Sequence, residues 1–182
     1  MFMRKQVSHL IKRFDNERLN IDSEIIPANG LDARLLKDIE KLDQAIEGAE
    51  DYEKLGKLFH DVEIGLLKRF SRWLVQKEVV EYADQFCSIV GAYFNFIYGY
   101  EHQSPLSLGD QRGKYVVDFM TDFLLRKTSM EPWEYTLAPS ALRLLYTFLY
   151  EKGYLEEPPN SMIEFIDIIE PHLIERLKEQ FS

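Results

Sequence analysis

Residues 86–100, FCSIVGAYFNFIYGY, run for fifteen positions without a charged side chain, in a chain of which 29% is Asp, Glu, Lys or Arg. Such a segment must be covered by lipid, by a partner or by its own fold. Length argues against lipid. A spanning helix takes about 20 predominantly apolar residues, whereas this run carries Gly91, Asn95 and Gly99 and gives way to Glu101 and His102. Val79, Tyr82, Ala83, Phe86, Val90, Phe94 and Ile97 recur at helical spacing through it. The expectation is a central helix over 79–100, apolar almost all round and packed by other helices on several sides, with Asn95 needing an internal hydrogen-bond partner.

The same period recurs along the chain. Val7, Leu10, Ile11 and Phe14 form one stripe, positions 31, 35, 36, 39, 42 and 46 a second, and positions 55, 58, 59, 62, 66, 67, 70 and 74 a third. Asp51 is placed to cap the third helix, and QKE at 76–78 is the expected break after it. Beyond residue 113, Tyr115, Phe119, Phe123 and Leu124 predict one helix, and Leu142, Leu145, Tyr146 and Leu149 another that begins at Pro139 and ends at Gly153. Ser161 with Glu164 reads as a capping box opening a short helix over 162–169, with Pro171 starting or kinking the last one. Alternating strand patterns and repeats are lacking. The fold class is therefore all-α, a bundle of about eight helices in a single domain over 1–182, with two helical layers (1–101 and 114–182) joined by the 102–113 loop.

Composition sets bounds on function. With 46% apolar and 13% aromatic residues, 182 residues can build a substantial core without disulfides. Cys87, the single cysteine, suits a reducing compartment, and the basic start of the chain lacks the apolar core of a secretory signal. The net charge of −9 opposes general attraction to nucleic acid and anionic membranes. Acidity is concentrated in residues 153–182, where seven acids face two bases.

Local patterns nominate several sites. KLFHDVEIG, residues 57–65, sets His60 beside Asp61 and resembles the His-Asp pair of HD-type metal phosphohydrolases. That resemblance implies a divalent metal on His60 and Asp61 with an upstream His, for which His9 is the candidate, and a distal Asp at 118 or 122. Lys68, Arg69 and Arg72 form a basic patch able to hold an anion. Cys87, between Phe86 and Ile89 and their apolar neighbours, is expected to be buried and inert rather than nucleophilic.

Residues 115–159, with a Leu/Phe-rich helix ending in FLYEKGYLEEPP, resemble the helical core-binding domain of tyrosine recombinases. The resemblance implies a DNA-facing unit over 112–152 in which Arg126, Lys127, Arg143 and Lys152 meet phosphate; no recombinase catalytic domain follows it. Trp133 and Tyr135, in the connection MEPWEYTLAP, are candidate anchors for a protein interface. Glycine-rich phosphate loops, nucleophile elbows and paired-cysteine zinc patterns are missing, so no cofactor is expected. The sequence thus favours a non-catalytic cytosolic helical protein acting through protein contacts, with a partner or as a homo-oligomer and without a membrane. DNA binding through 112–152 and an HD-type phosphohydrolase are the alternatives.

Overall fold

The computed structural model of the chain describes residues 30–48, 51–106, 112–155 and 158–182. The stripe around Val7 to Phe14, and with it His9, lies outside the described residues. Within them the protein is all-helical, with no strand.

Helix α1 (Gly30–Glu47) buries Leu35, Ile39 and Leu42 against α2 (Tyr52–Gln76), which answers with Leu55, Val62, Leu66, Phe70, Trp73 and Leu74. The Asp51 carboxylate caps α2, accepting from the Glu53 amide at 3.1 Å. The helix stops at 76–78, as the sequence predicts, and by a specific device. Glu78 turns into the left-handed region at φ 61°, its amide donates to the Val75 carbonyl, and the Val79 amide donates to the Leu74 carbonyl at 2.8 Å. These are the two bonds of a Schellman motif, closed over the buried Val79 side chain.

Helix α3 (Ala83–Phe94) runs on into a π-helical segment (Asn95–Tyr100). Helix α4 (Arg112–Asp118) does the same, through Phe119–Phe123, before a last α turn at Leu124–Lys127. The two wide segments meet through aromatic rings, Phe96 lying 5.7 Å from Phe119 and 4.9 Å from Phe123, and Tyr100 5.0 Å from Phe123. Each π turn accommodates one residue more than an α turn would, and so re-aims the rings that follow it.

After the short α5 (Pro132–Tyr135) comes α6 (Ala138–Glu151), in which every residue from Ala138 to Leu149 is buried. It packs on α2, α3 and α7 (Asn160–Phe181). Here the structure departs from the expected centre. The 86–100 run has a wet side at Ser88, Asn95 and Gly99, and Asn95 is exposed instead of seeking an internal partner. Small and polar residues spaced about two turns apart give that helix a solvent stripe. Helix α6 is enclosed although it carries Arg143, because carboxylates of α7 satisfy the guanidinium.

Helix α7 is likewise one element where two were expected. It starts at Asn160 without the Ser161 side-chain cap and continues through Pro171. Proline removes one backbone bond, to the carbonyl four residues back, and both Pro171 and Asp167 are exposed, which puts the interruption on the solvent side of the helix. Residues from every helix except α5's Pro132–Glu134 turn contribute to one contiguous apolar core. No helix among the described residues is long and apolar enough to cross a membrane.

Candidate anion-binding cleft

The C-terminal ends of α2 and α6 lie side by side. Helix α6 ends as α2 does, with a left-handed residue, here Gly153 at φ 77°, and with the Tyr154 amide donating to the Leu149 carbonyl at 2.8 Å. The two ends are fastened through Glu151, whose carboxylate accepts from the Trp73 indole at 2.7 Å and pairs with Lys77 at 3.3 Å. Trp73 is held in turn against Phe70 and Phe148, at ring distances of 6.2 and 5.9 Å.

Beside this junction is a cleft of about 170 Å³ lined by Asp32, Arg69, Arg72, Gln76, Lys152 and Tyr154, with Trp73 and Phe148 behind them. Among the described lining residues three cations face one carboxylate. Asp32, reaching over from α1, accepts from Arg69 Nε, and Arg69 Nη1 also donates to the Gly65 carbonyl at 3.1 Å. Arg69 is thereby fixed in place. No carboxylate among the described residues pairs with Arg72 or Lys152. Burial, and secondarily the Asp32 charge, push the Tyr154 hydroxyl up to about 12, so it remains a neutral hydrogen-bonding group at physiological pH.

The sequence nominated Arg69, Arg72 and Lys152 in two separate groups, and the fold brings them to one concavity. Lys68, their neighbour on α2, is exposed outside it. Asp32, Trp73, Gln76 and Tyr154 carried no motif. The signal for Tyr154 is present only in retrospect: a residue following a helix-ending Gly153 is carried back over the preceding turn.

The remaining nominees are dispersed. Arg143 does not face solvent. It is 4% exposed, donating to Asp167 at 2.8 Å and to Glu170 at 2.6 Å. Arg126 clasps Asp122 with two bonds of 2.9 Å, and the Lys127 ammonium lies 5.8 Å from the Tyr100 ring centre. His60 and Asp61 stand exposed on α2, Asp61 bonded to Lys57 at 3.0 Å, and no three His, Cys, Asp or Glu side chains converge to hold a metal among the described residues. Burial pushes the Cys87 thiol up, away from the thiolate form.

Trp133 is 39% exposed and packs edge-on against Tyr82 at 5.9 Å. Tyr135 is not a surface anchor. It is 3% exposed, and its hydroxyl donates to the Thr128 carbonyl at 3.0 Å while accepting from the Met130 amide, which closes the loop before α5. Set against known proteins, the chain matches no family model, no curated protein and no solved structure.

Proposed function

We propose that the protein is a non-catalytic helical binding protein of the cytosol whose cleft between α2 and α6 takes a small oxyanion of the phosphate type. The observation that carries this reading is the convergence of Arg69, Arg72 and Lys152 on one concavity in which Asp32 is the one carboxylate among the described lining residues. Arg69 is preorganised by Asp32 and Gly65, so little side-chain entropy is lost when it meets a ligand. Arg72 and Lys152 supply donors that no carboxylate among the described residues engages, and charge-assisted bonds to oxyanions are among the stronger hydrogen bonds a protein makes. Lys152 is the C-cap residue of α6, where the partial negative charge of the helix end favours its ammonium without neutralising it.

The test uses Trp73 as a reporter. With Trp133→Phe leaving one indole, pyrophosphate and inorganic phosphate are titrated at low salt. A saturable change in Trp73 emission is expected, weakened at least ten-fold in Arg72→Ala with Lys152→Ala and by added salt. Absence of saturation at millimolar pyrophosphate would dismiss the reading. It is preferred to a DNA face over 112–152 because Arg143 is engaged by Asp167 and Glu170 and Arg126 by Asp122.

A second reading, self-association or partner docking, is favoured by Trp133 standing half-open against Tyr82, next in chain to Glu81 and the 67%-exposed Val80. Sedimentation of Trp133→Ala beside the parent protein decides it. An identical monomer at high concentration in both would end the homo-oligomer version.

A further inference from the structure

The contact of Trp133 with Tyr82 joins two short stretches of chain that carry acids and no base. Glu78, Glu81 and Asp84 lie in 78–84, and Glu131 and Glu134 in 129–137. Two residues along a chain cover at most about 7 Å, so each of these acids is rooted within that distance of Val80, Tyr82 or Trp133. The Tyr82 hydroxyl is pushed up first by desolvation and then by a hydrogen bond and repulsion from Glu81, which puts that carboxylate beside the ring. Glu78, Glu81, Asp84 and Glu131 are exposed and Glu134 is half-buried. Among the described residues no cation pairs with any of the five. The bases nearest them in sequence are drawn elsewhere, Lys77 to Glu151 at 3.3 Å, Arg126 to Asp122, and Lys127 towards the Tyr100 ring.

That imbalance decides what the surface accepts. Carboxylates within about 10 Å of one another, a Debye length at 0.1 M salt, add their fields. They repel an acidic body, a second copy of this chain with its net charge of −9 included, and attract a cation. Between them Val80, 67% exposed, and Trp133, 39% exposed, give apolar footing. Trp and Tyr are enriched among the residues that dominate binding, and an indole face is the best aromatic partner for a cation. A guanidinium suits both parts of the surface: its plane stacks on a ring, and its forked N–H groups match a carboxylate, which a lysine ammonium meets only as a point charge. We propose that the surface of Val80, Tyr82 and Trp133 docks an arginine-bearing cationic segment of a partner protein, with a guanidinium on Trp133 and its neighbours on the flanking carboxylates. This rests on the partner-docking reading of Trp133, to which it adds the chemistry of the partner, and it shares no residue with the basic cleft.

The probes are capped hexaarginine and hexalysine, equal in charge, titrated at low salt into the full chain and followed by amide and indole N–H chemical shifts. Hexaarginine is expected to give saturable shifts of Val80, Tyr82 and the Trp133 indole, and to bind about three-fold or more tighter than hexalysine. Glu81→Lys with Asp84→Asn should weaken it by about five-fold or more, as should added salt. Trp133→Ala should bring the two peptides level at the Val80 amide, the rest of the spectrum showing that the variant is folded. The proposal is overturned if the two peptides bind alike in the parent, or if the shifts spread equally to the exposed Glu175 and Glu179 of α7, which would mark attraction to net charge alone. It is overturned also if hexaarginine leaves the signals still, and protein concentration then separates two failures. Signals that move with concentration, and cease to in Trp133→Ala, keep docking and remove the cationic partner, whereas signals that answer neither remove docking as well.

Discussion

The hydroxyl oxygens of Tyr93 and Tyr146 lie 2.6 Å apart in the buried core, joining α3 to α6. Tyr146 also donates to the Pro105 carbonyl at 3.3 Å, which leaves Tyr93 as the donor to Tyr146. Burial holds the Tyr93 hydroxyl well above the usual tyrosine range, so the relay is neutral at physiological pH. Its direction makes the two tyrosines unequal. Tyr146→Phe strands the Tyr93 donor and should cost about 2 kcal/mol, whereas Tyr93→Phe leaves Tyr146 bonded to Pro105 and should cost about 1 kcal/mol. Urea unfolding of the two variants gives the comparison, and equal losses would contradict the assigned direction.

Arg143 should behave as an internal strut. Arg143→Ala leaves the carboxylate of Glu170, 14% exposed, without its guanidinium, at a cost of about 3 kcal/mol. Arg143→Met keeps most of the volume and should lose less. Asp167, at 58% exposure, contributes under about 1 kcal/mol, so Asp167→Asn should be nearly silent beside Glu170→Gln. Thermal unfolding of the four variants ranks them directly.

Asp43 gives the stability profile an unusual slope. Its folded value is pushed up to about 6, mainly by burial; the unfolded value is about 3.9. Below the unfolded value both states are protonated and the group contributes no penalty. Between about pH 4 and 6 the folded state holds the extra proton, so stability from this group falls as pH rises, and the loss is complete above pH 6. Allowing for solvent screening of a partly exposed carboxylate, the penalty at pH 7 is about 1 to 2 kcal/mol. Asp43→Asn should therefore be more stable than the parent at pH 7 and indistinguishable from it at pH 4. Denaturant curves at the two pH values measure this, and a destabilised variant at pH 7 would refute it.

Glu78 is a side-chain-bearing residue doing a glycine's task. Its φ of 61° costs about 1 kcal/mol in backbone sterics. Glu78→Gly should accordingly stabilise the protein by about 0.5 kcal/mol after the added freedom of the unfolded chain is subtracted. A chemical-denaturation midpoint that falls would show the Glu78 side chain to be holding something else.

Helical periodicity made the all-α class and the core stripe of α2 legible, because both depend on neighbours three and four residues apart. The end of α2 at 76–78 was legible too, since nothing after Gln76 continues the stripe. What the sequence hides is pairing at long separation. Asp32 meets Arg69 across thirty-seven positions and Trp73 meets Glu151 across seventy-eight. Lys152 therefore looked like a member of one patch and Arg72 of another. Arg143 misled for the same reason, because its carboxylates lie on the next helix, in a region whose acidity is visible only as a sum. The enclosure of α6 was obscured by that arginine, while the lack of charge in 86–100 concealed a polar stripe of uncharged residues. Asp43 is undistinguished among six charged residues between Lys37 and Glu47 until Tyr98 comes up against it.

The facing π-helical segments at Asn95–Tyr100 and Phe119–Phe123 impose a counting rule on this chain. Each already holds one residue more than α winding needs, so deleting one residue within either would restore ordinary α winding and leave the helix beyond it in register. Deleting a residue from the α turns just before either segment would instead swing everything downstream by about 100° around the axis, turning Tyr98 away from Phe59 in the first case and Phe123 away from Phe96 in the second. The wide turns are thus the two places where a shorter chain could keep the aromatic packing beyond them.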